Sequence, residues 1–97
     1  MFDKLKFRSE QVVISGEAFL IKELSIADRE KLEDAVTKGE HSMRSCYLAF
    51  CLFNDDGTPI NTDPLFFENL PAQPFEKALN KILELNWPEA LETVKKD

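Results

Sequence analysis

The sequence predicts an α+β fold, in which an N-terminal β-hairpin is followed by a small bundle of three or four helices. Two β-prone runs flank a glycine-containing turn within residues 12–21. Apolar residues then recur at three- and four-residue steps in two later segments, 41–53 and 74–86, as on one face of a helix. The 97 residues suffice for one core, so hairpin and helices are expected to share it.

The expected single domain, 1–97, has three parts. Residues 1–9 are mixed and polar, and we interpret them as a flexible arm or a short edge strand. Residues 10–24 form the hairpin, and 25–95 form the helical part. Because an isolated hairpin is marginal in water, it is expected to pack on the helices or to pair with another chain.

The first helix is predicted to begin at Ser25. Its hydroxyl can accept a hydrogen bond from the backbone N–H of Asp28, and the Asp28 carboxylate can reach back, as in a capping box. Gly39 is expected to end the helix in the left-handed conformation. The apolar stripe between these ends is incomplete and consists of Ile26, Leu32, Ala35 and Val36.

The second helix, 41–53, is apolar nearly all round and is expected to be central or covered by a partner. Cys46 and Cys51 lie within it, at a spacing that suits neither a disulfide nor a CxxC motif. We expect both to be buried, reduced thiols, which fits the cytoplasm.

A turn is predicted at 54–57, followed by a short helical turn with Asp63 as its cap and Pro64 at its first position. The last long helix is expected over 74–86. Residues 88–95 are expected to add one or two helical turns after Trp87.

The residues give no support for an enzyme, a cofactor or a metal site. The sole histidine, His41, stands among polar residues at a helix start, and one histidine with two cysteines cannot build a zinc site. The acidic run before Gly57 lacks the spacing of a calcium loop and is interpreted as a turn. A net charge of −6 disfavours nucleic acid and anionic membranes. The given residues include no long apolar run, so we expect neither a membrane span nor a signal peptide.

The chain is instead rich in aromatic side chains for its length. The simplest interpretation is that each one fills the core. Three consecutive apolar residues on one short helical turn cannot all point inward, however, so part of that set is expected at the surface. The candidate partner-binding residues are Leu65, Phe66, Phe67, Tyr47 and Trp87.

Three segments occur in an order and spacing that are typical of one family. Residues 20–25 (LIKELS) lead into a helix with acidic and basic residues, 51–63 end a helix in an acidic Asp-Gly turn, and 78–86 close a helix with Leu-Asn. Over roughly residues 10–88, the chain thereby resembles the tail assembly chaperones of lambda-like, long-tailed bacteriophages.

The resemblance implies a non-enzymatic function in the host cell cytoplasm. Such chaperones bind the tape measure protein, keep its helices soluble during tail assembly and are absent from the mature virion. In many relatives, a ribosomal frameshift makes an extended form that also recruits the tail tube protein. Lys95 and Lys96 are compatible with a slippery codon run, which the gene sequence would test.

Two other classes remain open, together with self-association as a homo-oligomer. One is a structural tail or connector component that stays in the virion. The other is a small acidic inhibitor or adaptor protein. Twelve Lys and Arg interleaved with eighteen Asp and Glu argue against an acidic mimic of DNA.

Overall fold

The computed structural model describes residues 6–87 and confirms the α+β fold, with an N-terminal hairpin followed by helices. In chain order its elements are β1 (Ser9–Ile14), β2 (Glu17–Lys22), α1 (Ile26–Lys38), α2 (Met43–Cys51), β3 (Leu52–Asn54), α3 (Pro64–Glu68), a 3-10 turn (Gln73–Phe75) and α4 (Glu76–Asn86). The predicted arm and the helical turns at 88–95 lie partly or wholly outside the described residues.

The hairpin closes through a two-residue turn. Ser15 and Gly16 both have positive φ, 51° and 85°, the pattern of a type I′ turn, whose twist matches that of the flanking strands. Six antiparallel pairs follow, from Ile14 with Glu17 to Ser9 with Lys22. The hairpin therefore has a regular register and begins one residue earlier than the sequence predicts.

The predicted helix over 41–53 is wrong at its C-terminal end. Helix α2 stops at Cys51, and the chain continues directly into β3, which pairs antiparallel with β2. Ile21 lies opposite Leu52 in this pairing, and both side chains are fully buried. Strand pairing at a buried position thus overrides the helical period of a short apolar run, which cannot distinguish helix from strand.

The helices pack on one face of the three-stranded sheet, whose order is β1-β2-β3. Helix α4 contacts both hairpin strands, α2 contacts α4, and α1 and α3 contact α2. The largest fully buried side chains of the shared core are Ile21, Leu32, Leu52, Ile82, Cys46 and Cys51.

The predicted helix ends are confirmed where local chemistry determines them. The Ser25 hydroxyl accepts a hydrogen bond from the Asp28 N–H, at 3.1 Å. Gly39 ends α1 with a φ of 70°, and Asp63 accepts from the Leu65 N–H at 3.0 Å ahead of α3. None of the helices within residues 6–87 is long and apolar enough to cross a membrane.

Candidate partner-binding surface

His41 connects the start of α2 to the end of α3. Its Nδ1 lies 3.3 Å from Oε1 of Glu68 but makes no hydrogen bond. The same oxygen accepts from the Ser42 N–H at 2.8 Å. Within residues 6–87, no group of three acidic, histidine or cysteine residues is arranged to hold a metal ion.

The acidic run before Gly57 forms the predicted turn. Asp56 Oδ1 accepts from the Thr58 N–H at 2.9 Å and from the Thr58 hydroxyl at 2.6 Å. These hydrogen bonds lower the pKa of Asp56. Gly57 has a φ of 91°, which favours glycine there. The carboxylate is therefore used to shape the loop.

Both cysteines are free and buried, as the sequence predicts. Burial raises the pKa of the Cys51 thiol to about 12. Burial, and then the negative charge of Glu68, raise the pKa of the Cys46 thiol. Raised pKa values keep both groups as thiols at neutral pH, so neither is an activated nucleophile.

Helix α3 divides its three consecutive apolar residues between core and surface. Phe67 is 4% exposed, whereas Phe66 is 43% and Leu65 51% exposed. The Phe67 ring packs edge-to-face on Phe66 and on Phe75, with centroid distances of 5.1 and 6.4 Å. The phase of this short helix directs the Phe67 ring into the core, whereas Leu65 and Phe66 are directed outward.

An apolar groove of about 320 Å³ lies beside the exposed Phe66, and we call it the Phe66 groove. One wall comes from the hairpin tip and the other from α3 and the segments that flank it. Glu17 is the only charged residue among those that line it. The lining residues are Ile14, Ser15, Glu17, Phe19, Leu52, Ile60, Phe66, Phe67, Leu70 and Phe75.

A second groove, of about 240 Å³, opens on the other side of Phe67, Leu70 and Phe75. It carries three charged residues, Arg44, Glu68 and Glu76. Because these charges border the apolar floor, the second groove is less suited than the Phe66 groove to an uninterrupted apolar ridge.

Tyr47 and Trp87 come together, although 40 residues separate them in the chain. Their rings lie 5.2 Å apart at an angle of 30°, and the Arg29 guanidinium lies over the Trp87 ring at 4.8 Å from its centre. With Leu32 and Val36 of α1 they line a cleft of about 250 Å³. Burial raises the pKa of Tyr47.

The five candidate residues therefore do not form one surface. The cleft at Tyr47 and Trp87 shares no lining residue with the Phe66 groove. In the cleft the aromatic faces already contact each other and a cation, whereas Phe66 keeps much of its ring exposed. The Phe66 groove is the better candidate surface for a partner.

Sequence reasoning missed the hairpin wall of the Phe66 groove, to which Ile14 and Phe19 belong. Alternation along the hairpin places both on its inward face, since Phe19 pairs with Val12. That signal was present, but nothing in the sequence indicates that α3 lies near the hairpin tip. No protein-family model, curated protein or solved structure matches this chain, so its own residues and geometry are the basis for a functional proposal.

Proposed function

We propose that this chain is a tail assembly chaperone of a long-tailed bacteriophage, a binding protein and not an enzyme. It binds the tape measure protein in the host cytoplasm and leaves before the tail is complete. The observation that carries the proposal is the Phe66 groove, an apolar groove on a chain of net charge −6. The resemblance of segments 20–30, 51–63 and 78–86 to that family is the second support.

The shape of the groove suits an amphipathic helix. Such a helix presents apolar side chains at steps of three and four on one face, and these form a ridge. A ridge inserted into the groove contacts the hairpin through Phe19 and the opposite wall through Phe66 and Phe75. Leu65 lies one residue from Phe66 and is 51% exposed, so it extends the apolar contact beyond the groove.

The charge of the chain favours a client with basic residues beside its apolar face. The net charge is −6, and Glu17 is the only charged residue in the groove lining. Complementary charge accelerates encounter and suppresses acidic competitors, while the apolar contact supplies most of the affinity. Client binding should therefore slow as ionic strength rises.

The proposal is tested by co-expressing this chain with the tape measure protein and measuring how much of that protein stays soluble and copurifies. Phe66→Asp places a carboxylate at the edge of the apolar groove, and we expect most of the soluble complex to be lost. Leu65→Asp should weaken the complex less, because Leu65 does not line the groove.

Ile26→Asp is the matched control. Ile26 is 82% exposed on α1 and lines none of the grooves described above, so the same exchange of an exposed apolar side chain for a carboxylate there should leave the complex intact. Equal losses for Phe66→Asp and Ile26→Asp, or an intact complex with a folded Phe66→Asp variant, would reject the groove as the client site.

The chaperone and the virion-component hypotheses predict different particle compositions. A chaperone is expected in lysates of infected cells and not in purified particles, whereas a tail or connector component is retained in particles. Quantitative mass spectrometry of both samples distinguishes them. A stoichiometric amount of this chain in purified particles would replace the chaperone proposal with the structural one.

The same samples test the extended form that recruits the tail tube protein. A frameshift near Lys95 and Lys96 would yield peptides that begin in this chain and continue into another reading frame. Their absence, together with a gene sequence that has no overlapping frame, would limit the proposal to the chain itself.

A further inference from the structure

The two edges of the sheet differ in how far they are covered by neighbouring residues. The edge strand β3 has only three residues, and the loop that follows folds back on it: Phe53 bridges Pro59, and the Asn54 N–H donates to the Thr58 carbonyl at 2.8 Å. The six-residue β1 forms the other edge, and no strand within residues 6–87 pairs with its outer side.

The hydrogen-bond phase of the hairpin shows which backbone groups of β1 face outward. The Glu23 N–H donates to the Arg8 carbonyl at 2.8 Å, which extends the register of the hairpin by one bonded pair. Bonded residues alternate in an antiparallel pair, so Glu10, Val12 and Ile14 bond to β2. The N–H and C=O groups of the residues between them, Ser9, Gln11 and Val13, point away from the sheet.

This outward edge lacks the features that normally prevent strands from pairing. It contains no proline, no lysine and no bulge, and its register with β2 is continuous. Its one charged side chain, Glu10, lies on the helical face, where its carboxylate is 3.1 Å from Lys81 Nζ. Val13 lies on the open face and is 61% exposed. An edge with these properties is a template for another strand.

We propose that β1 pairs antiparallel with β1 of a second copy, about a two-fold axis at Gln11, and joins the two sheets into one of six strands. Pairing across that axis sets Ser9 opposite Val13 and Gln11 opposite itself, which uses every outward-facing backbone group of the strand. Glu10 falls opposite Val12 of the other copy, and the two Glu10 carboxylates, which become diagonal neighbours, each keep Lys81 as an ion-pair partner.

The same register covers exposed apolar side chains of both copies, which favours a second copy as the occupant. Continued alternation places Phe7, which is 68% exposed, on the open face with Val13. Across the axis, Phe7 of one copy is a diagonal neighbour of Val13 of the other, a position that an aromatic ring reaches. This contact occurs twice by symmetry. The pairing uses the outward backbone groups of Ser9, Gln11 and Val13, none of which lines the Phe66 groove, so the inference does not depend on the proposed function.

The test measures the dimer dissociation constant by sedimentation equilibrium for the wild type and two variants. Val13→Pro removes an outward N–H and leaves the hydrogen bonds to β2 intact. Because two intermolecular bonds are lost per dimer, the dissociation constant should rise about tenfold or more. Val13→Thr keeps both the N–H and the β-branch, and should dimerise as the wild type does.

Gln11→Lys provides a second variant that does not alter the backbone. Gln11 Nε2 donates to Asp55 Oδ1 at 3.0 Å within one chain, so a lysine there is compatible with the monomer. Across the two-fold axis, however, the two lysines face each other and should weaken the dimer. Circular dichroism establishes whether each variant is folded. If Val13→Pro is unfolded, Gln11→Lys alone tests the proposed pairing.

Amide hydrogen exchange gives an independent measurement on the wild type. The Val12 amide should be protected at all concentrations, whereas the Gln11 and Val13 amides should gain protection only as dimer forms. A monomer across the micromolar to millimolar range overturns the proposal. A dimer that Gln11→Lys leaves unchanged, or one that does not protect the Gln11 and Val13 amides, overturns it as well.

Discussion

The seam between the hairpin and α4 and the region around α3 are attached to the same core by different means. At the seam, residues distant in the chain are joined by short polar bonds. Arg8 donates from its guanidinium to the Leu85 carbonyl at 2.8 Å, and the Leu24 N–H donates to Asn86 Oδ1 at the same distance. Asn86 is buried, so the second of these bonds is shielded from water.

Around α3, most polar bonds are local. Asp63 caps Leu65, two residues away, at 3.0 Å. Two contacts join α3 to parts of the chain that are more distant in sequence. They are the packing of the Phe67 ring, which is 4% exposed, and the hydrogen bond from the Ser42 N–H to Glu68. Helix α3 has only five residues, too short to be stable without such packing.

The difference places the candidate surface on the less extensively attached element. Local opening occurs first where few apolar contacts and few protected bonds hold a segment. A client that inserts beside Phe66 would meet a wall that can adjust, opposite a hairpin whose base is joined to α4 through the seam.

Replacing Phe67 tests the main attachment of α3. Phe67→Ala removes a buried ring from between Phe66 and Phe75 and leaves a cavity, so the free energy of unfolding should fall by about 3–5 kcal/mol. Urea unfolding followed by circular dichroism measures it. Phe67→Leu retains much of the volume and should cost clearly less. A loss below about 1 kcal/mol for Phe67→Ala would show that α3 is held by something other than this side chain.

Replacing Asn86 tests the seam. Asn86→Ala leaves the Leu24 N–H without its partner in a buried site, which should lower the free energy of unfolding by about 1–3 kcal/mol. Asn69→Ala is the matched control, because Asn69 is exposed and its amide makes a comparable bond to the Leu65 carbonyl at 3.1 Å. Equal losses for the two variants would remove the distinction between a buried seam and a locally bonded α3.

The parts of the fold that the sequence predicts correctly depend on chemistry within a few residues. The Ser25 cap, the Gly39 end and the Asp63–Pro64 start each join groups that are close in the chain. Strand β3 was missed because its partner, Ile21, is 31 positions from Leu52 in the chain. Only that pairing distinguishes a strand from one more helical turn.

The candidate surface was predictable only where it depends on local geometry and not on long-range packing. Helix geometry alone requires that part of the apolar run on α3, residues 65–67, is exposed. Which residue turns inward depends on the phase of a five-residue helix, and that phase is set by tertiary contact between Phe67 and Phe75. The hairpin wall of the groove depends on long-range packing, which no local sequence pattern indicates.

Replacing Phe66 separates the surface of α3 from its attachment. Phe66→Ala loses an edge-to-face contact with Phe67 and less buried area than Phe67→Ala does, because Phe66 is 43% exposed. It should lower the free energy of unfolding by about 0.5–1.5 kcal/mol. Urea unfolding of Phe66→Ala and Phe67→Ala compares how much two adjacent rings of one helix contribute to the free energy of unfolding. A loss equal to that of Phe67→Ala would mean that Phe66 belongs to the core and not to a partner-binding surface.

The smallest effect is expected at the exposed ion pair that crosses the seam. Lys81 Nζ lies 3.1 Å from the Glu10 carboxylate, and both side chains are more than two-fifths exposed, so water and salt screen the pair. Lys81→Gln should leave the thermal midpoint at neutral pH indistinguishable from that of Lys77→Gln, which removes an exposed lysine from the same helix. A clear loss for Lys81→Gln alone would mean that the seam depends on surface charge more than on its buried amide.

The pH dependence of that comparison has a defined sign. Hydrogen bonding to Glu10, and then the negative charge of Glu10, raise the pKa of Lys81 above its ordinary value of 10.5. Any contribution of the pair is therefore complete below pH 10.5 and is lost as the pH rises through the higher pKa of the folded state. Any difference in stability between wild type and Lys81→Gln at neutral pH should therefore shrink as the pH rises, and thermal unfolding from neutral pH upward measures this. A difference in stability that grows as the pH rises would contradict the assignment of Glu10 as the partner that raises the pKa of Lys81.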